Sequence, residues 1–504
     1  MTTTFVTRHS GAVDWARQES HLPLDSVVSG SFDAESVQPG DLVIGTLPAQ
    51  IAARICERGG RYRHLTLDLP EGLRGVELSA EDMRACHARL EEFHIQRSSV
   101  RAGARPADAL NVHIVLASGE NLPNLIPALA RSLKAHRVLI LASDAMRDNA
   151  KRLQNGFRVA GLAENHVRIR PGCPDHDVPT ILAWARRWAD DIAAEFPAAR
   201  LILNLTGGNK LMTIAFLQAF RPCAEIIYCD TGNDRIDYFH PIGQAAERLP
   251  VNLLKLRPYL AVQGYQSREE TPGSEGIRER GDLTRALVEL APRIPNLLGL
   301  LNSAASCYRD ARLDRAFVGQ PTRSDEKELV DLMVEQGLLN ATGIRLAIAN
   351  ETASIYLGGG WLEEWCWLIG KKLEEGESGK RLRVDRWGIN LKIDRCDSQT
   401  LPRPGQYALN ELDAVFIHRN RMLLIECKSG AQVSERGKSQ DILNKLETLG
   451  KHVGGRLDTK WLLTARRIEP NSQAWQRAIK YQITIVPPQE LIKLEDKIIG
   501  WMTR

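Results

Sequence analysis

Three residues near the C-terminal end have the types and spacing to hold a divalent cation beside a phosphodiester: Asp413, Glu426 and Lys428. They lie in Glu411-Leu-Asp413-Ala-Val-Phe-Ile417, then a polar turn, His418-Arg-Asn-Arg421, then Met422-Leu-Leu-Ile-Glu426-Cys-Lys428. Two apolar runs joined by a short polar turn predict an antiparallel hairpin. If Ile417 faces Met422, Asp413 falls opposite Glu426 and Glu411 opposite Lys428, with facing Cβ atoms about 5 Å apart. Alternation puts Asp413, Glu426 and Lys428 on one face, with Leu423, Ile425 and Cys427 on the other. Carboxylates opposite one another in an apolar hairpin repel, and a hard cation such as magnesium or manganese relieves the repulsion. A lysine beside them can orient or activate the attacking water and offset phosphate charge. The plainer reading is a solvated strand face, which the apolar surroundings disfavour.

A second constellation is Leu201-Ile-Leu-Asn-Leu205 followed by Thr206-Gly207-Gly208-Asn209-Lys210. It predicts a buried strand, a glycine-rich turn and a helix starting near Leu211. Glycines let backbone approach a phosphate, the helix N-terminus supplies N–H groups, and Lys210 adds charge. A tight turn alone would explain the glycines, but other predicted strands end in similar polar turns: Ser118-Gly119-Glu120-Asn121, Ser143-Asp144 and Asp230-Thr231-Gly232-Asn233. No GxGxxG or GxxxxGK[ST] pattern is present, which argues against ordinary dinucleotides and ATP. A third group, Arg8, His9, Ser10 and Thr46, sits just beyond two predicted strand ends. There Arg8 could stabilise charge and His9 move a proton, although surface turns would account for both. Trp15 and Tyr62 read as core.

These residues need scaffolds. The chain has 504 residues, and at roughly 150 per domain that suggests about three domains. The fold class is α/β. Residues 1–97 read as a small Rossmann-like parallel α/β domain, with strands at 3–7, 41–44 and 64–67 and helices at 12–19 and 49–58. Residues 98–109 read as linker. Strands at 112–117, 137–141, 166–169, 201–205 and 225–228 predict a second, doubly wound domain over 110–262. Residues 263–282 again read as linker, 283–344 as a helical connector, and 345–504 as a C-terminal α/β domain. Net charge is +4, too small for a global nucleic-acid footprint. Nine cysteines without a CxxC pair argue against a zinc ribbon and a disulfide framework, and the odd count fits a reducing cytoplasm. No apolar run approaches the ~18 residues of a membrane helix, so a cytoplasmic protein without membrane contact is expected.

Asp413, Glu426 and Lys428 resemble the motif of the PD-(D/E)XK (restriction-endonuclease-like) superfamily. The resemblance implies a metal-dependent nuclease with magnesium or manganese held by Asp413 and Glu426. The superfamily often adds a glutamate on an earlier helix. Gly359-Gly-Trp361-Leu-Glu363-Glu364-Trp365 fits, with Glu363 the better match as a further metal ligand, although two acids at a helix start also suit its dipole. Gln440 and Lys445 fall on a later helix that could face a substrate backbone. The stretch Thr206–Lys210, with the turns around it, resembles the ligand loop of CARF domains, the CRISPR-associated Rossmann-like sensors of cyclic oligoadenylate. Asn209 stands where many of them carry threonine. A CARF domain followed by a PD-(D/E)XK domain resembles the ancillary nucleases of type III CRISPR systems. This implies a homodimer, cyclic tetra-adenylate as allosteric activator, and cleavage of DNA and/or RNA.

The segments Arg8-His9-Ser10-Gly11-Ala12-Val13-Asp14-Trp15, Gly45-Thr46-Leu47-Pro48 and His64-Leu-Thr-Leu-Asp68 resemble a small CRISPR-associated family implicated as a ring nuclease. That implies destruction of the activator by the N-terminal domain. Bottom-up, ring opening needs no metal, since a ribose 2′-hydroxyl can attack the adjacent phosphate when held in line. Other readings stay open: a ligand-regulated DNA-repair nuclease, or a nucleotide-sensing regulator whose N-terminal module only dimerises or retains ligand.

Overall fold

The computed structural model describes residues 2–19, 23–73, 75–95, 109–267, 275–376, 382–396, 410–433, 435, 437–455 and 458–503. The chain forms two compact units, Met1–Ala104 and Arg105–Arg504. All but the last residue of the expected linker at 98–109 lies outside the described residues.

In the first unit, β1 (Thr3–Val6), β2 (Ser26–Val28), β3 (Leu42–Gly45), β4 (Arg61–Thr66) and β5 (Arg89–Phe93) form a sheet ordered β2-β1-β3-β4-β5. The first four are parallel, as the strand–helix alternation predicts, whereas β5 is antiparallel to β4. Neither β2 nor β5 has an apolar run to announce it; β5 reads Arg-Leu-Glu-Glu-Phe. Helices α1 (Ser10–Glu19) and α3 (Ala80–Ala85) bury Trp15 and Met83 against Phe5, Leu42, Ile44 and Leu65. On the other face α2 (Ala49–Glu57) packs Ala52 and Ile55 against Val6, Val43 and Tyr62. Alternation along β1 and β3 thus supplies both cores.

The second unit opens with seven strands: β6 (Asn111–Leu116), β7 (Arg137–Leu141), β8 (Val167–Arg170), β9 (Arg200–Asn204), β10 (Glu225–Asp230), β11 (Arg235–His240) and β12 (Glu247–Arg248). Their order is β12-β11-β10-β9-β6-β7-β8. Strands β6 to β10 are parallel and match the expected series; β11 and β12 add an antiparallel edge. The connecting helices are α4 (Leu122–Leu129), α5 (Arg147–Val159), α6 (Val178–Glu195), α7 (Lys210–Phe220) and α8 (Leu256–Val262). The chain winds outward from β6 to β8 and returns to β9, so strand order reverses between β6 and β9. Ligands in such sheets bind at this switch point.

The expected linker over 263–282 is instead partly structured. β13 (Tyr265–Ser267) pairs with the sheet of the C-terminal domain, and α9 (Glu275–Glu279) follows; residues 268–274 lie outside the described residues. The connector holds α10 (Gly281–Leu290), α11 (Pro295–Arg309) and α12 (Ser324–Glu335), but it is not purely helical. β14 (Phe317–Val318), β15 (Leu339–Thr342) and β16 (Arg345–Ile348) form a small sheet that crosses the boundary expected at 345.

The C-terminal sheet is ordered β13-β17-β18-β19-β20-β21, with β17 (Arg386–Arg395), β18 (Asn410–His418), β19 (Arg421–Lys428), β20 (Asp458–Thr464) and β21 (Ile483–Val486). Its helices are α13 (Glu351–Ile355), α14 (Trp361–Glu375), α15 (Lys438–Leu449), α16 (Gln473–Lys480) and α17 (Leu494–Met502). The β18–β19 hairpin turns through Arg419 (φ 49°) and Asn420 (φ 62°), and Ile417 faces Met422. Left-handed residues at both central positions make the turn that matches strand twist. Ala414, Phe416, Leu423, Ile425 and Cys427 pack with α14, and Val415, Ile417, Met422 and Leu424 with α15. Leu412 joins the second group although it is two positions from Ala414. Alternation therefore breaks at Asp413. The β17–β18 ladder skips the Asn390–Asp413 pair, and Asn390 takes φ 51°.

Candidate functional site

Asp413, Glu426 and Lys428 meet where the hairpin ladder ends. Lys428 Nζ lies 2.8 Å from Glu426 Oε1 and 3.3 Å from Asp413 Oδ2. The Cys427 N–H donates to Asp413 Oδ2 at 2.8 Å, and Lys445 on α15 reaches Glu426 Oε1 at 3.5 Å. Both carboxylates are buried, Asp413 to 8% and Glu426 to 2% exposure. Burial, then the Glu426 charge, raises the Asp413 pKa. Burial opposes the Lys428 charge, but Asp413 and Glu426 outweigh it and raise the ammonium pKa.

Glu363 and Glu364 both lie in the first turn of α14 and take different roles. Glu364 pairs with Arg280 at 2.5 Å. Glu363 turns toward the cluster, where burial and then Asp413 push its carboxyl up to about 8. A wide turn, Tyr356–Gly360, precedes α14, with Gly359 at φ 137°. A Cβ on Gly359 would lie 2.7 Å from Ser429 Oγ, and Ser429 Oγ donates to Asn302 Oδ1 at 2.8 Å. The turn that delivers Glu363 is thus pressed against the residue following Lys428. Gln440 is half-buried on the same helix as Lys445.

Among the described residues no three His, Cys, Asp or Glu side chains are assembled into a metal-binding group. Glu363 is near enough to be perturbed by Asp413 but does not close a three-carboxylate cluster with Asp413 and Glu426. The Lys428 ammonium bridges the latter two. Their donor set still suits a hard cation: two buried carboxylates share one ammonium countercharge, and burial followed by neighbouring acids raises the carboxyls of Asp413 and Glu363.

At the other end of this unit, the polar turns gather at adjacent strand ends. Ser118–Asn121 follow β6, Ser143 follows β7, Thr206–Asn209 follow β9, and Asp230–Thr231 end β10. Gly207 cannot be another residue here, because a Cβ would lie 1.9 Å from the Leu116 carbonyl and 2.8 Å from Asn124 Nδ2. Gly208 takes φ 75°. Thr206 Oγ1 donates to Asn204 Oδ1 at 2.6 Å and accepts from the Cys229 N–H at 2.7 Å. Asn209 caps α7, accepting from Met212 N, and donates to the Asp175 carbonyl at 2.6 Å. Lys210 is exposed at the first position of α7, one residue before the expected start. Asp230 holds Asn233 through its side-chain amide at 2.7 Å. Sequence reasoning missed Asp175, whose loop, Pro171–Asp177, carries no phosphate-binding pattern.

This edge is wired to the C-terminal domain. Ser118 Oγ donates to the Glu120 carbonyl, and Asn149 Nδ2 to the Ser118 carbonyl. Asn121 Nδ2 donates to Asn149 O at 3.0 Å and to Val262 O, at the end of α8, at 3.4 Å. Tyr259 on α8 donates to the Gly454 carbonyl at 2.9 Å, just beyond α15. β13 follows α8 directly and lies in the sheet of the C-terminal domain.

In the first unit Arg8 and His9 are exposed, and His9 Nδ1 lies 2.7 Å from Glu77 Oε2. Glu77 also accepts from Ser10 N at 3.1 Å. Thr46 Oγ1 donates to the Leu65 carbonyl at 3.3 Å. Trp15 and Tyr62 are core, at 5% and 1% exposure. Beside Thr46 stands His64, which the sequence reading placed at the start of a strand and within a segment carrying the family resemblance but gave no chemical role; the signal was an imidazole two positions after a tyrosine on one strand face.

The second unit thus joins a Rossmann-like α/β domain to a second α/β domain that holds the buried Asp413–Lys428–Glu426 cluster. Residues 112–259 match the family model of the Card1 CARF domain, and residues 350–504 that of the Card1-like endonuclease domain. Residues 4–96 match the putative CRISPR-associated protein family Cas_VVA1548. The chain therefore carries a CARF domain and an endonuclease domain behind a CRISPR-associated N-terminal segment. Among solved structures it is similar to Can2 from Sulfobacillus thermosulfidooxidans in complex with cyclic tetra-adenylate, at 22% identity and TM-score 0.59 over 78% of this chain and 99% of that one. It is also similar to protein VC1899 from Vibrio cholerae, at 18% identity and TM-score 0.63 over 78% of this chain and 98% of that one. At these identities the likeness is one of fold. No curated protein matches the chain. Among the described residues no helix is long and apolar enough to cross a membrane.

Proposed function

We propose that this chain is a self-limiting, ligand-gated nuclease of type III CRISPR defence. Cyclic tetra-adenylate binds on the two-fold axis of a CARF homodimer and activates phosphodiester cleavage of DNA and/or RNA by a PD-(D/E)XK site; the N-terminal unit then degrades the activator. The observation that carries the reading is the buried meeting of Asp413 and Glu426 at Lys428 inside an endonuclease domain. Its sensor partner is the CARF domain of the same unit.

The residues divide the work as follows. Asp413 and Glu426 would hold magnesium or manganese, which supplies Lewis-acid polarisation and a more acidic bound water when present. Lys428 orients the attacking water and offsets charge growing on the phosphate. Lys445 keeps Glu426 turned toward Lys428. Glu363, whose carboxyl burial and then Asp413 push up to about 8, would be a further ligand for a cation held by Asp413. In the CARF domain, Gly207 and Gly208 admit a ligand phosphate close to backbone, Lys210 supplies charge, and Ser118–Asn121, Ser143, Asn209 and Asp230–Thr231 surround it. The route outward runs through Asn121, Val262 and Tyr259 to Gly454. A ligand shifts this equilibrium only by binding the active arrangement more tightly.

The test is a matrix of purified full chain, each cyclic oligoadenylate, magnesium or manganese, and labelled DNA and RNA, followed by analysis of the rings. Cleavage that needs both a ring and a metal supports the reading. Metal-dependent cleavage indifferent to every ring would favour a repair nuclease, and no cleavage under any condition a sensing regulator.

A further inference from the structure

We propose that His64 is the general base of the N-terminal unit, and that Tyr62 sets its tautomer. The inference rests on reading this unit as the domain that opens the activator ring. Tyr62 Oη has three polar neighbours. It lies 2.8 Å from the Gly45 carbonyl, 3.0 Å from the Leu47 N–H and 2.8 Å from His64 Nδ1. A carbonyl only accepts, so the one phenolic proton points at Gly45 O. The Leu47 N–H donates into one phenolic lone pair. His64 Nδ1 must then be the protonated nitrogen, donating into the other. That leaves Nε2 with its lone pair outward, and no hydrogen bond among the described residues engages it. The nitrogen that carries the proton is fixed by the partner of the other one.

The surroundings suit the role. His64 is the register partner of Gly45 on β3, so its ring rises beside the Gly45–Thr46 turn at the strand ends. Gly45 takes φ 152°, and a Cβ there would stand 2.3 Å from the Val6 carbonyl. The phenol that orients the ring is itself locked in the core. The edge of Phe93 flanks the imidazole at 6.0 Å. Glu91 is the cross-strand partner of His64. His9, by contrast, already has its Nδ1 against Glu77 on an exposed turn.

The reaction balances without a metal. The ribose 2′-oxygen attacks the adjacent phosphorus while its proton passes to His64 Nε2. The bond from phosphorus to the 5′-oxygen breaks, and the leaving oxygen takes a proton from water. A 2′,3′-cyclic phosphate and a 5′-hydroxyl result, and the imidazolium returns its proton to solvent.

The test follows cyclic tetra-adenylate by chromatography in EDTA with full-length wild type, His64→Ala, His64→Gly and Tyr62→Phe, each with and without added imidazole. Circular dichroism checks folding. The expected result is a fall in kcat of about a hundredfold or more for both His64 variants, a smaller fall for Tyr62→Phe, and partial recovery of the His64 variants with imidazole. The initial rate of manganese-dependent nucleic-acid cleavage at saturating ring should be unchanged in all of them. Wild-type rates in both His64 variants, or losses that imidazole does not repair in either, would overturn the role of His64 while leaving ring opening standing. Intact rings with wild type would instead end the ring-opening reading, and this inference with it.

Discussion

The Lys428 ammonium bridges Glu426 and Asp413, at 2.8 and 3.3 Å, within a hairpin whose positions 414–417 and 422–425 are buried and apolar. Losing either carboxylate removes half of the proposed cation site, and losing the lysine leaves two buried acids without their countercharge. Asp413→Ala, Glu426→Ala and Lys428→Ala should each lower cleavage by about a hundredfold or more. They should separate in stability. Breaking a buried pair by removing one partner costs about 3–5 kcal/mol, so Lys428→Met should be the most destabilising change, read by denaturant unfolding without metal. Normal manganese-dependent cleavage by Glu426→Ala would remove this assignment.

Much of this site could be read directly from the chain, because a two-residue turn between apolar runs fixes the register and Ile417 does face Met422. The break at Asp413 could not. It depends on Asn390 taking a left-handed conformation in a strand distant in sequence. Propensity says nothing of such a pairing defect, which turns one carboxylate out of strict alternation. For a similar reason β13 read as linker: a three-residue edge strand is specified by β17, not by its own sequence. The central parallel strands of the CARF domain, β6, β7 and β9, were plain because they are largely apolar runs buried on both faces. Its antiparallel edge, Arg235–His240, alternates too weakly to stand out.

The glycine-rich turn gives a prediction of opposite character at neighbouring positions. Gly207→Ala must displace the Leu116 carbonyl, so it should destabilise the CARF domain by about 1–3 kcal/mol. Lys210→Ala is exposed and should leave stability unchanged while raising the concentration of cyclic tetra-adenylate needed for half-maximal cleavage. Thermal melts and ligand titrations distinguish the two; an unchanged titration for Lys210→Ala would take that lysine out of the ligand site.

His113 gives the CARF domain a pH dependence of known sign. It is fully buried, with Nε2 2.5 Å from the Leu133 carbonyl, and burial pushes its pKa from 6.5 to about 4. Between those values the unfolded chain binds more protons than the folded one. Its contribution is therefore complete above about 6.5 and is lost as pH falls toward 4, on the order of 3 kcal/mol in all. His113→Asn should flatten that part of the stability curve. Equal slopes for the two proteins between pH 4 and 6.5 would contradict it.

Tyr259 offers a test of coupling apart from binding or chemistry, since its hydroxyl bonds to Gly454 rather than to a residue of either candidate site. Its hydroxyl ties α8 to Gly454. Tyr259→Phe should lose about 1 kcal/mol of stability, bind the ring normally, and show a smaller ratio of stimulated to basal cleavage. An unchanged ratio would mean that coupling takes another route, such as the Asp385 carboxylate that accepts from both Asn252 N and Arg419 N.

Removing the N-terminal unit should convert a pulse into sustained activity. With a limiting dose of cyclic tetra-adenylate, the full chain should cleave and then stop as the ring disappears, whereas a chain lacking residues 1–97 should remain active. Identical time courses would leave that unit with a dimerising or ligand-retaining role.

The most direct measurement of the central claim is the initial rate of manganese-dependent cleavage by the wild-type chain, with and without saturating cyclic tetra-adenylate. The account predicts an increase of about tenfold or more that disappears in Glu426→Ala. Equal wild-type rates with and without the ring would contradict it.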